Sequence, residues 1–295
     1  MVSVKIGIVG TPGKWSTEAL ADAVEAATGF RLVIDMGEVC AELATGELRY
    51  RDCKLTELDA VAVKKISEIY SPATLDRLEM LRLLEQAGVR VFSRVASIHP
   101  LIDRLSGTMA LHQAEIPMPP TRVTESPAAA FSAVRDFEST VFKPLYSTKA
   151  RGMMLIDDKQ GPDQVQQAIQ TFHRDNPVMY IQQRLELPGK DLGMVFLGGE
   201  YLGTYARVGS KGSWNTTINS GGQYQAYEAS EQLIDLATRA QAVFDLDFTT
   251  VDVAETAQGP VVFEVSAFGG FRGALKGIGI NVAERYVAHM LKELT

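Results

Sequence analysis

FTTVDVAETAQGPVVFEVSAFGG, residues 248–270, is the stretch of sequence that decides the fold. Its two runs rich in Val, Thr and Phe, TTVDVAE and PVVFEVSA, flank the segment TAQG, a pattern typical of a β-hairpin. Side chains on a strand alternate between two faces. If Thr256 opposes Pro260 across the turn, the pairing register of the two strands is fixed. Asp252 then falls opposite Glu264, and directly opposed Cβ atoms lie about 4.5–5.5 Å apart.

Two carboxylates at that separation repel each other, and a cation between them removes the repulsion. Mg²⁺ takes oxygen ligands and is held in proteins by one or two carboxylates together with substrate phosphates. The spacing is equally compatible with a solvated hairpin that carries two unrelated acids. Phe268-Gly269-Gly270 after the second strand, and a lysine-bearing segment near residue 143, favour the metal site.

Composition limits the class of protein. The chain has 295 residues, of which 46% are hydrophobic, so we expect two or three domains around a sizeable core. A net charge of −7 argues against a general nucleic-acid binder, which needs a basic face. Cys40 and Cys53 are the only cysteines, and no apolar run approaches the roughly 20 residues that span a bilayer. We therefore predict a cytoplasmic protein whose partners are neither nucleic acid nor membrane.

The order of helix and strand patterns predicts three domains. Residues 1–97 alternate strands with helices, which indicates an N-terminal α/β domain with a mostly parallel sheet. Residues 98–184 combine helices with antiparallel strands, an α+β pattern. Residues 185–295 contain antiparallel hairpins, and we predict two long loops there, a polar one at 209–222 and a glycine-rich one at 268–279.

Lys143 is a candidate phosphate ligand. It lies in the apolar strand pattern TVFKPL, directly before a predicted loop at 146–152 that carries Lys149 and Arg151. A lysine in an apolar strand is costly to bury unless its charge is paired, and a phosphate oxygen would pair it. Backbone amides of the loop could close over the phosphates. An edge strand whose lysine reaches solvent explains the pattern equally well.

Three other segments carry candidate residues, each with a simpler explanation. The strand YIQQRL at 180–185 could pair with an adenine edge, and Asp191 could accept hydrogen bonds from ribose hydroxyls. The simpler explanation is that this segment is an interdomain linker and that Asp191 forms a salt bridge. Arg207 could neutralise a phosphoryl group, although a surface arginine is the commoner outcome. Arg272 and Lys276 in the glycine-rich segment suit an anionic substrate, or are solvated loop charges.

Taken together, these segments resemble the ATP-grasp superfamily, and within it the RimK-like carboxylate–amine (glutamate) ligases. The resemblance covers nearly the whole chain and rests on LIDRLSGTMALHQAEIPMPPT, VFKPL, YIQQRL, VDVAE with VVFEVSAFGG, and GINVAERYV. It implies an ATP-grasp fold of mixed α/β and α+β class: an N-terminal parallel-sheet domain, a central ATP-binding domain that bears a lid, and a C-terminal antiparallel-sheet domain.

The resemblance also implies roles for individual residues. Phosphates would be held by Lys143 with Arg104, aided by Lys149 in the lid; Gln182, Gln183 and Leu185 would line the adenine pocket; and Asp191 would meet the ribose. Arg207 and Arg272 would act on the reacting groups, and Asp252, Glu264 and Ser266 would form the metal site.

This sequence departs from the family pattern at several of these positions. Ser266 stands where asparagine is common, and a hydroxyl is the poorer Mg²⁺ ligand, which puts a second metal position in doubt. Arg104 replaces a lysine, and Gln183 stands where glutamate is common. Gly193 and Thr217 occupy positions where close relatives carry Arg and Asn, which suggests an unusual acceptor or impaired catalysis.

The sequence thus predicts an ATP- and Mg²⁺-dependent carboxylate–amine ligase that acts through an acyl phosphate and adds glutamate or another amino acid to a small molecule or peptide. One or two Mg²⁺ ions are expected, with Mn²⁺ as the alternative. The substrates would be a small-molecule or peptide carboxylate and an amine, and the resemblance implies a homodimer or homotetramer. The alternatives are a catalytically impaired nucleotide-binding sensor or partner protein, and an ATP-grasp-type kinase.

Overall fold

The computed structural model describes residues 4–148, 150–209 and 222–295. Its first part begins with a buried strand and an amphipathic helix that ends at Gly29, whose positive φ suits glycine. The elements in this part are β1 (Ile6–Val9), α1 (Trp15–Thr28), β2 (Val33–Ile34), β3 (Val39–Glu42), β4 (Glu47–Tyr50), β5 (Cys53–Lys54), β6 (Ala60–Val63), α2 (Ala73–Gln86), β7 (Arg90–Phe92) and α3 (Val95–Ile98).

The main sheet of this part is parallel, with strand order β2-β1-β6-β7, which confirms the predicted sheet. All four residues of β1 and of β6 are buried, as expected for parallel strands covered on both faces. A second, antiparallel sheet of β3, β4 and β5 is not predicted by the sequence pattern.

The central part has its own core. Its elements are α4 (Arg104–Gln113), β8 (Thr121–Thr124), α5 (Pro127–Phe137), β9 (Ser139–Lys143), β10 (Met154–Asp157), α6 (Pro162–Asp175) and β11 (Met179–Gln183). The strands form one antiparallel sheet in the order β10-β9-β11-β8. Apolar residues of α5 and α6 pack on it, including Val134, Ile169 and Phe172, in a cluster that contains only residues of this part.

The last part holds a five-stranded antiparallel sheet in the order β14-β13-β12-β15-β16. Its elements are β12 (Lys190–Leu197), β13 (Glu200–Val208), β14 (Gln223–Tyr227), α7 (Glu231–Ala242), β15 (Phe248–Thr256), β16 (Gly259–Ser266), α8 (Phe271–Ile278) and α9 (Val282–Glu293). The glycine-rich loop predicted at 268–279 is wrong, because most of it is the helix α8. Of the polar loop predicted at 209–222, residues 210–221 lie outside the described residues.

The hairpin of β15 and β16 brings Asp252 opposite Glu264, as predicted, but through a different register. At the turn Thr256 opposes Gly259, so the predicted pairing of Thr256 with Pro260 is wrong. The register shifts by one residue between Asp252 and Val253, where Phe263 has no partner. This β-bulge restores the opposition of the two acids, since a bulge places two residues of one strand against one of the other.

The two faces of the five-stranded sheet pack differently. One face packs on α7 through residues such as Leu192, Met194 and Val251. The opposite face packs on α8 and α9, and the same cluster continues into β1 and α1. The N-terminal and C-terminal parts therefore share a core, whereas the central part does not contribute to that cluster.

Each of the three main sheets draws its strands from one predicted domain. The domain boundaries at 97/98 and 184/185 stay predictions. Within the described ranges, none of the helices combines the length and the apolar character that a bilayer crossing requires.

Candidate active site

Four residues form one row across the five-stranded sheet. Tyr205 on β13 opposes Gly193 on β12, Gly193 opposes Asp252 on β15, and Asp252 opposes Glu264 on β16. Directly opposed residues share a face of the sheet. Asp252 and Glu264, two of the three predicted metal-site residues, therefore lie on the face that α8 covers, next to the Tyr205 and Gly193 pair.

Arg207 joins two buried acids on this face. It opposes Asp191 across β12 and β13, and its Nε lies 3.2 and 3.0 Å from the two carboxylate oxygens of Asp191. Its Nη2 also contacts Asp191 and lies 2.9 Å from Oδ2 of Asp252. Burial alone would lower the pKa of Arg207, but Asp252 and Asp191 outweigh burial and raise it well above its ordinary value. The guanidinium is therefore charged and held in place.

Asp252 has a free oxygen. Its Oδ1 is buried and has no hydrogen-bond partner among the described residues, although Oδ2 contacts Arg207. The pKa of Asp252 is raised to about 7: burial raises it most, Arg207 opposes that shift, and Glu264 and Asp191 add to it. A buried carboxylate oxygen without a partner is the feature that a bound cation would explain.

The donor set, made of carboxylate and hydroxyl oxygens, suits a hard cation such as Mg²⁺. In the part of the chain that the structure describes, no three His, Cys, Asp or Glu side chains are grouped to hold an ion. Mg²⁺ does not need such a cage, because it is commonly held by one or two carboxylates plus substrate phosphates. Asp252 and Glu264 supply two carboxylates, and the half-buried Ser266 opposes Thr250 one row away on the same face.

Lys143 faces this pair from the central sheet. Its Nζ lies 2.5 Å from Oε1 of Gln182 and 5.5 Å from the centre of the Phe263 ring, which precedes Glu264. The pKa of Lys143 is lowered to about 7, mainly by burial and also by Arg104, with Glu264 acting in the opposite direction. The predicted phosphate lysine therefore lies near Glu264, where the central sheet meets the strand that carries this acid.

Arg104 reaches Glu264 from the start of α4. Its Nη1 lies 3.4 Å from Oε2 of Glu264, and its Nη2 lies 3.5 Å from the hydroxyl of Ser147 in the predicted lid. Its guanidinium also lies 5.8 Å from the ring centre of Tyr180. The side chain is only 10% exposed, so Arg104 is a buried positive charge beside the exposed carboxylate of Glu264.

The predicted adenine residues lie at the end of β11. This strand is central, paired with β9 and β8, so its own backbone has no free edge. The amide of Gln183 donates to the carbonyl of Pro120, and Gln182 uses its side chain on Lys143 and Thr121. The amide of Arg184 is also paired, with the carbonyl of Ser139, so the predicted adenine contact is left with the backbone beyond Arg184, where the half-buried Leu185 lies.

A protein-family model matches the part of the chain that carries these residues. Residues 102–290, more than half of the chain, match the RimK-like ATP-grasp domain.

The chain belongs to the RimK-like ATP-grasp family.

Similar proteins agree with this assignment. The chain is 26% identical to a tetrahydromethanopterin:α-L-glutamate ligase of Methanosarcina acetivorans, over 98% of this chain and 99% of the relative. It is 25% identical to a ribosomal protein bS6–L-glutamate ligase of Salmonella paratyphi B, over 85% of this chain and 83% of the relative. The solved structure of the ATP-grasp ligase PsnB with a minimal precursor superposes with a TM-score of 0.77, at 17% identity over 100% of both chains.

These comparisons confirm the ATP-grasp fold and the prediction of an ATP-dependent carboxylate–amine ligase; the sensor and kinase alternatives are not favoured. Membership of the RimK-like ATP-grasp family implies ATP and Mg²⁺ as the nucleotide and the metal. The related ligases act on amino-acid, peptide or protein substrates.

In this RimK-like ATP-grasp chain the predicted lid connects β9 to β10. Arg151 in this loop donates to the backbone carbonyl of Glu68, with Nη2 and O 3.4 Å apart, so the loop contacts the N-terminal part. Lys149, expected to contact phosphate, lies outside the described residues, as does Thr217. Their predicted roles stay predictions.

Arg272 lies on α8 and not in a loop, which corrects its expected setting. Its guanidinium stacks 5.2 Å from the ring centre of Trp15 at the start of α1, and Lys276 lies one turn further along the helix. Among the described contacts Arg272 has none with Asp252 or Glu264. Its predicted catalytic role therefore stays a prediction.

Lys64 is a buried lysine close to the segment that follows Glu264, and the sequence pattern does not reveal it. It follows β6, is 5% exposed, and its Nζ lies 2.7 Å from the carbonyl oxygen of Gly269 and 3.4 Å from that of Phe268. Burial, with help from Lys65, lowers the pKa of Lys64 to about 7. A lysine directly after a buried parallel strand is a signal that could have found it, because buried lysines are rare.

Proposed function

We propose that this protein is an ATP- and Mg²⁺-dependent ligase that joins the carboxylate of a small molecule or peptide to the amine of L-glutamate through an acyl phosphate. The observation that carries the proposal is that Lys143 and Arg104 lie close to Glu264, the cross-strand neighbour of Asp252. Cations opposite a pair of acids suit a metal-bound polyphosphate, since the cations contact phosphate oxygens and the acids hold the metal.

The chemistry proceeds in two steps. An oxygen of the substrate carboxylate attacks the γ-phosphorus of ATP, the bond to the β–γ bridging oxygen breaks, and ADP leaves. The amine then attacks the carbonyl carbon of the acyl phosphate, loses a proton, and expels inorganic phosphate to leave an amide. Mg²⁺ bound to Asp252 and Glu264 would neutralise charge on the phosphates. No protein nucleophile is needed, in keeping with a site that acts by positioning and electrostatics.

Lys143 and Arg104 would bind phosphate oxygens. The pKa of Lys143, lowered to about 7 by burial, would rise again when a phosphate pairs its charge, so nucleotide binding stabilises the protonated lysine. Lys149 would add a further contact from the lid. Gln182, Gln183 and Leu185 would border the adenine, with the backbone beyond Arg184 as the hydrogen-bonding edge.

Arg207 would stabilise the reacting phosphoryl group from its place beside Asp252. Asp191 is 6% exposed, and both of its carboxylate oxygens accept hydrogen bonds from Arg207. We therefore propose that Asp191 orients the guanidinium of Arg207, instead of binding the ribose as the family resemblance implies. Ser266 would take a second metal position poorly, so we propose one tightly held ion, with Mn²⁺ able to replace Mg²⁺. Arg272 would attract an anionic substrate from α8.

L-glutamate is proposed as the amine because two relatives named above are glutamate ligases. We propose the cytoplasm as the compartment, consistent with two cysteines that remain unpaired. A homodimer or homotetramer is the assembly we expect in solution.

The proposal is tested by measuring ADP and inorganic phosphate released from ATP with L-glutamate and a panel of carboxylates, followed by mass spectrometry of the products. A ligase releases both in equal amounts and only when both substrates are present. Hydroxylamine in place of the amine should give a hydroxamate, which identifies the acyl phosphate. ADP without phosphate and with a single hydroxyl compound would indicate a kinase, and nucleotide binding without turnover would indicate a sensor.

A further inference from the structure

A cavity of about 360 Å³ lies in the N-terminal part, at the carboxyl ends of three of its parallel strands. Its walls are formed by the segments that follow these strands and by one residue of α2: Gly10 and Thr11 after β1, Asp35 and Gly37 after β2, residues 66–69 after β6, and Arg77. The volume is within the range of small-molecule binding sites.

This cavity lies where the strand order of the sheet reverses. In the order β2-β1-β6-β7, the chain leaves β1 toward one edge of the sheet and leaves β6 toward the other. The two connecting helices lie on opposite faces, because Leu20 of α1 packs with Ile8 and Leu78 of α2 packs with Val61 in a separate cluster. Open α/β sheets bind ligands in the crevice that this reversal creates at the carboxyl ends of the strands.

Gly37 leaves a gap between two opposite charges of the cavity. A Cβ atom built on Gly37 would lie 3.2 Å from Oδ1 of Asp35 and 3.5 Å from Nη2 of Arg77. The φ angle of Gly37 is outside the left-handed region, so its backbone does not require glycine. Although both atoms lie close to one point, neither Asp35 nor Arg77 forms an ion pair within the described ranges. The gap therefore fits a ligand group that contacts both side chains.

Each of the two charges is held in place by one hydrogen bond. Oδ1 of Asp35 accepts from the amide of Gly37 at 2.8 Å, and Nη1 of Arg77 donates to the carbonyl of Ile66 at 3.1 Å. Both side chains are half-buried. Oδ2 of Asp35 and Nη2 of Arg77 form no hydrogen bond with the residues that the structure describes, so each can bind a ligand.

The balance of charge indicates the kind of ligand. Glu68, the other acid of the cavity wall, pairs with Lys14 at 3.1 Å, so the four side chains together carry no net charge. A phosphate would be attracted by Arg77 but repelled by Asp35. A ligand with one ammonium and one carboxylate group pairs with both, and charge-assisted hydrogen bonds of this kind are the strong ones. An α-amino-acid group carries these two charges on one carbon atom.

The wall of the cavity contacts both the predicted lid and the hairpin of the metal acids. The carbonyl of Glu68 accepts a hydrogen bond from Arg151 of the lid, with O and Nη2 3.4 Å apart. Tyr70, directly after the wall segment, packs edge-on against Phe268 with ring centres 6.2 Å apart, and burial and then Glu264 raise its pKa. A ligand in the cavity would therefore lie beside the segment that joins the lid to this hairpin.

We propose that this cavity binds the α-amino-acid group of the carboxylate substrate, with its ammonium on Asp35 and its α-carboxylate on Arg77. The proposal rests on the proposed function. An ammonium held by Asp35 cannot attack an acyl phosphate, so the amino acid bound here is not the amine substrate. It is the substrate whose second, distal carboxylate is phosphorylated.

The test is calorimetric titration of L-2-aminopimelate into the whole chain saturated with Mg²⁺ and AMPPNP, beside two matched ligands. Pimelate lacks the ammonium group, and 6-aminohexanoate lacks the α-carboxylate. A hydrogen bond to a charged group contributes about tenfold or more in affinity. Pimelate and 6-aminohexanoate should therefore each bind about tenfold more weakly than L-2-aminopimelate.

Two variants assign the binding to this cavity. Gly37→Ala places a methyl group in the gap without backbone strain, so it should weaken binding of L-2-aminopimelate about tenfold and leave the urea unfolding midpoint unchanged. Arg77→Met should weaken binding of L-2-aminopimelate and pimelate but not of 6-aminohexanoate. Arg82→Met, on the same helix in an exposed pair with Glu79, is the matched control and should change none of these affinities.

Binding is measured here without turnover, so it is separate from the test of the proposed function. A search that finds no substrate pair able to release ADP would remove the ligase assignment and leave this result standing. The proposal is overturned if L-2-aminopimelate does not bind, if pimelate binds as tightly, or if Gly37→Ala and Arg82→Met bind L-2-aminopimelate with equal affinity.

Discussion

Nη2 of Arg207 lies 2.9 Å from Oδ2 of Asp252, so one guanidinium neutralises the acid whose other oxygen has no partner. With its pKa raised to about 7, Asp252 is about half ionised at neutral pH, and its Oδ1 stays buried without a partner among the described residues. A single ion pair thereby couples the expected metal ligand to the expected phosphoryl-binding arginine, and through Arg207 to Asp191 on the neighbouring strand.

Mg²⁺ affinity should depend on pH through Asp252. Its pKa is raised to about 7, first by burial, and a carboxylate must lose its proton to bind Mg²⁺. Affinity should therefore fall as pH falls below 7, approaching tenfold per pH unit. Mg²⁺ titrations of AMPPNP binding at pH 6, 7 and 8 measure this. Asp252→Asn should bind weakly and lose most of the pH dependence; equal affinities of the wild type at pH 6 and 8 would contradict the assignment.

Glu264→Gln should abolish Mg²⁺-dependent ADP release while the melting temperature stays within about 2 °C. The side chain is 47% exposed, so its charge contributes little to folding, but it faces Asp252 and Arg104. Glu255→Gln on the same hairpin is the matched control, because its partner is the Tyr227 hydroxyl and it should retain turnover. Full turnover in Glu264→Gln would reject its role in the metal site.

Lys143→Met should weaken ATP binding and yet stabilise the unliganded protein. The pKa of Lys143 in the fold, about 7, lies below the ordinary lysine value of about 10.4, so the folded state binds fewer protons between these values. The free-energy cost of burying the protonated lysine is therefore greatest below pH 7 and decreases to nearly zero as the pH approaches 10. The variant's melting temperature should thus exceed that of wild type at pH 7, by roughly 2–4 °C per kcal/mol, and the excess should shrink by pH 9.

The exposed Lys159, in the same part of the chain, supplies the control, since Lys159→Met should change neither ATP affinity nor the pH dependence of melting. An unaltered ATP affinity in Lys143→Met would show that Lys143 does not bind the phosphates of ATP.

Arg207→Met should destabilise the fold by about 3–5 kcal/mol, because it leaves Asp191 and Asp252 buried without a counter-charge. Arg239→Met removes an arginine from an exposed i,i+4 pair with Asp235 and should cost less than about 0.5 kcal/mol. Urea unfolding midpoints compare the two. Similar midpoints for both variants would show that the Arg207 ion pairs do not hold the buried acids.

Lys64→Met should lower kcat about tenfold with little change in the KM of ATP. Lys64 donates to the backbone carbonyls of Phe268 and Gly269, shortly after the strand that carries Glu264, so we expect it to position this segment of backbone and not to bind the nucleotide. Lys54→Met, which removes a half-exposed lysine paired with Glu47, should leave both parameters unchanged. A selective rise in the KM of ATP would point instead to a direct contact.

Much of the fold follows from local sequence. Hydrophobic runs and turn residues indicate the parallel N-terminal sheet, and the hairpin at 248–270 places two acids on one face. The opposition of Asp252 and Glu264 is confirmed, although the turn closes at Gly259 and the bulge at Phe263 compensates. The predicted turn pairing was wrong by one residue, which by itself would have moved the two acids out of opposition. They still oppose each other because the bulge shifts the register by one residue in the compensating direction.

The sequence by itself determined the strands, the family motifs and the residue types of the site, because periodicity and motif spacing are properties of neighbours along the chain. Only the tertiary structure decided that Arg207 joins Asp191 to Asp252, that Lys64 reaches Gly269, and that Tyr205 rests on glycines of β12 and α8. These contacts depend on strand order and on the packing of α8 against the sheet. A glycine-rich segment such as 271–278 carries little helix propensity of its own and becomes a helix because a ring and a sheet face support it.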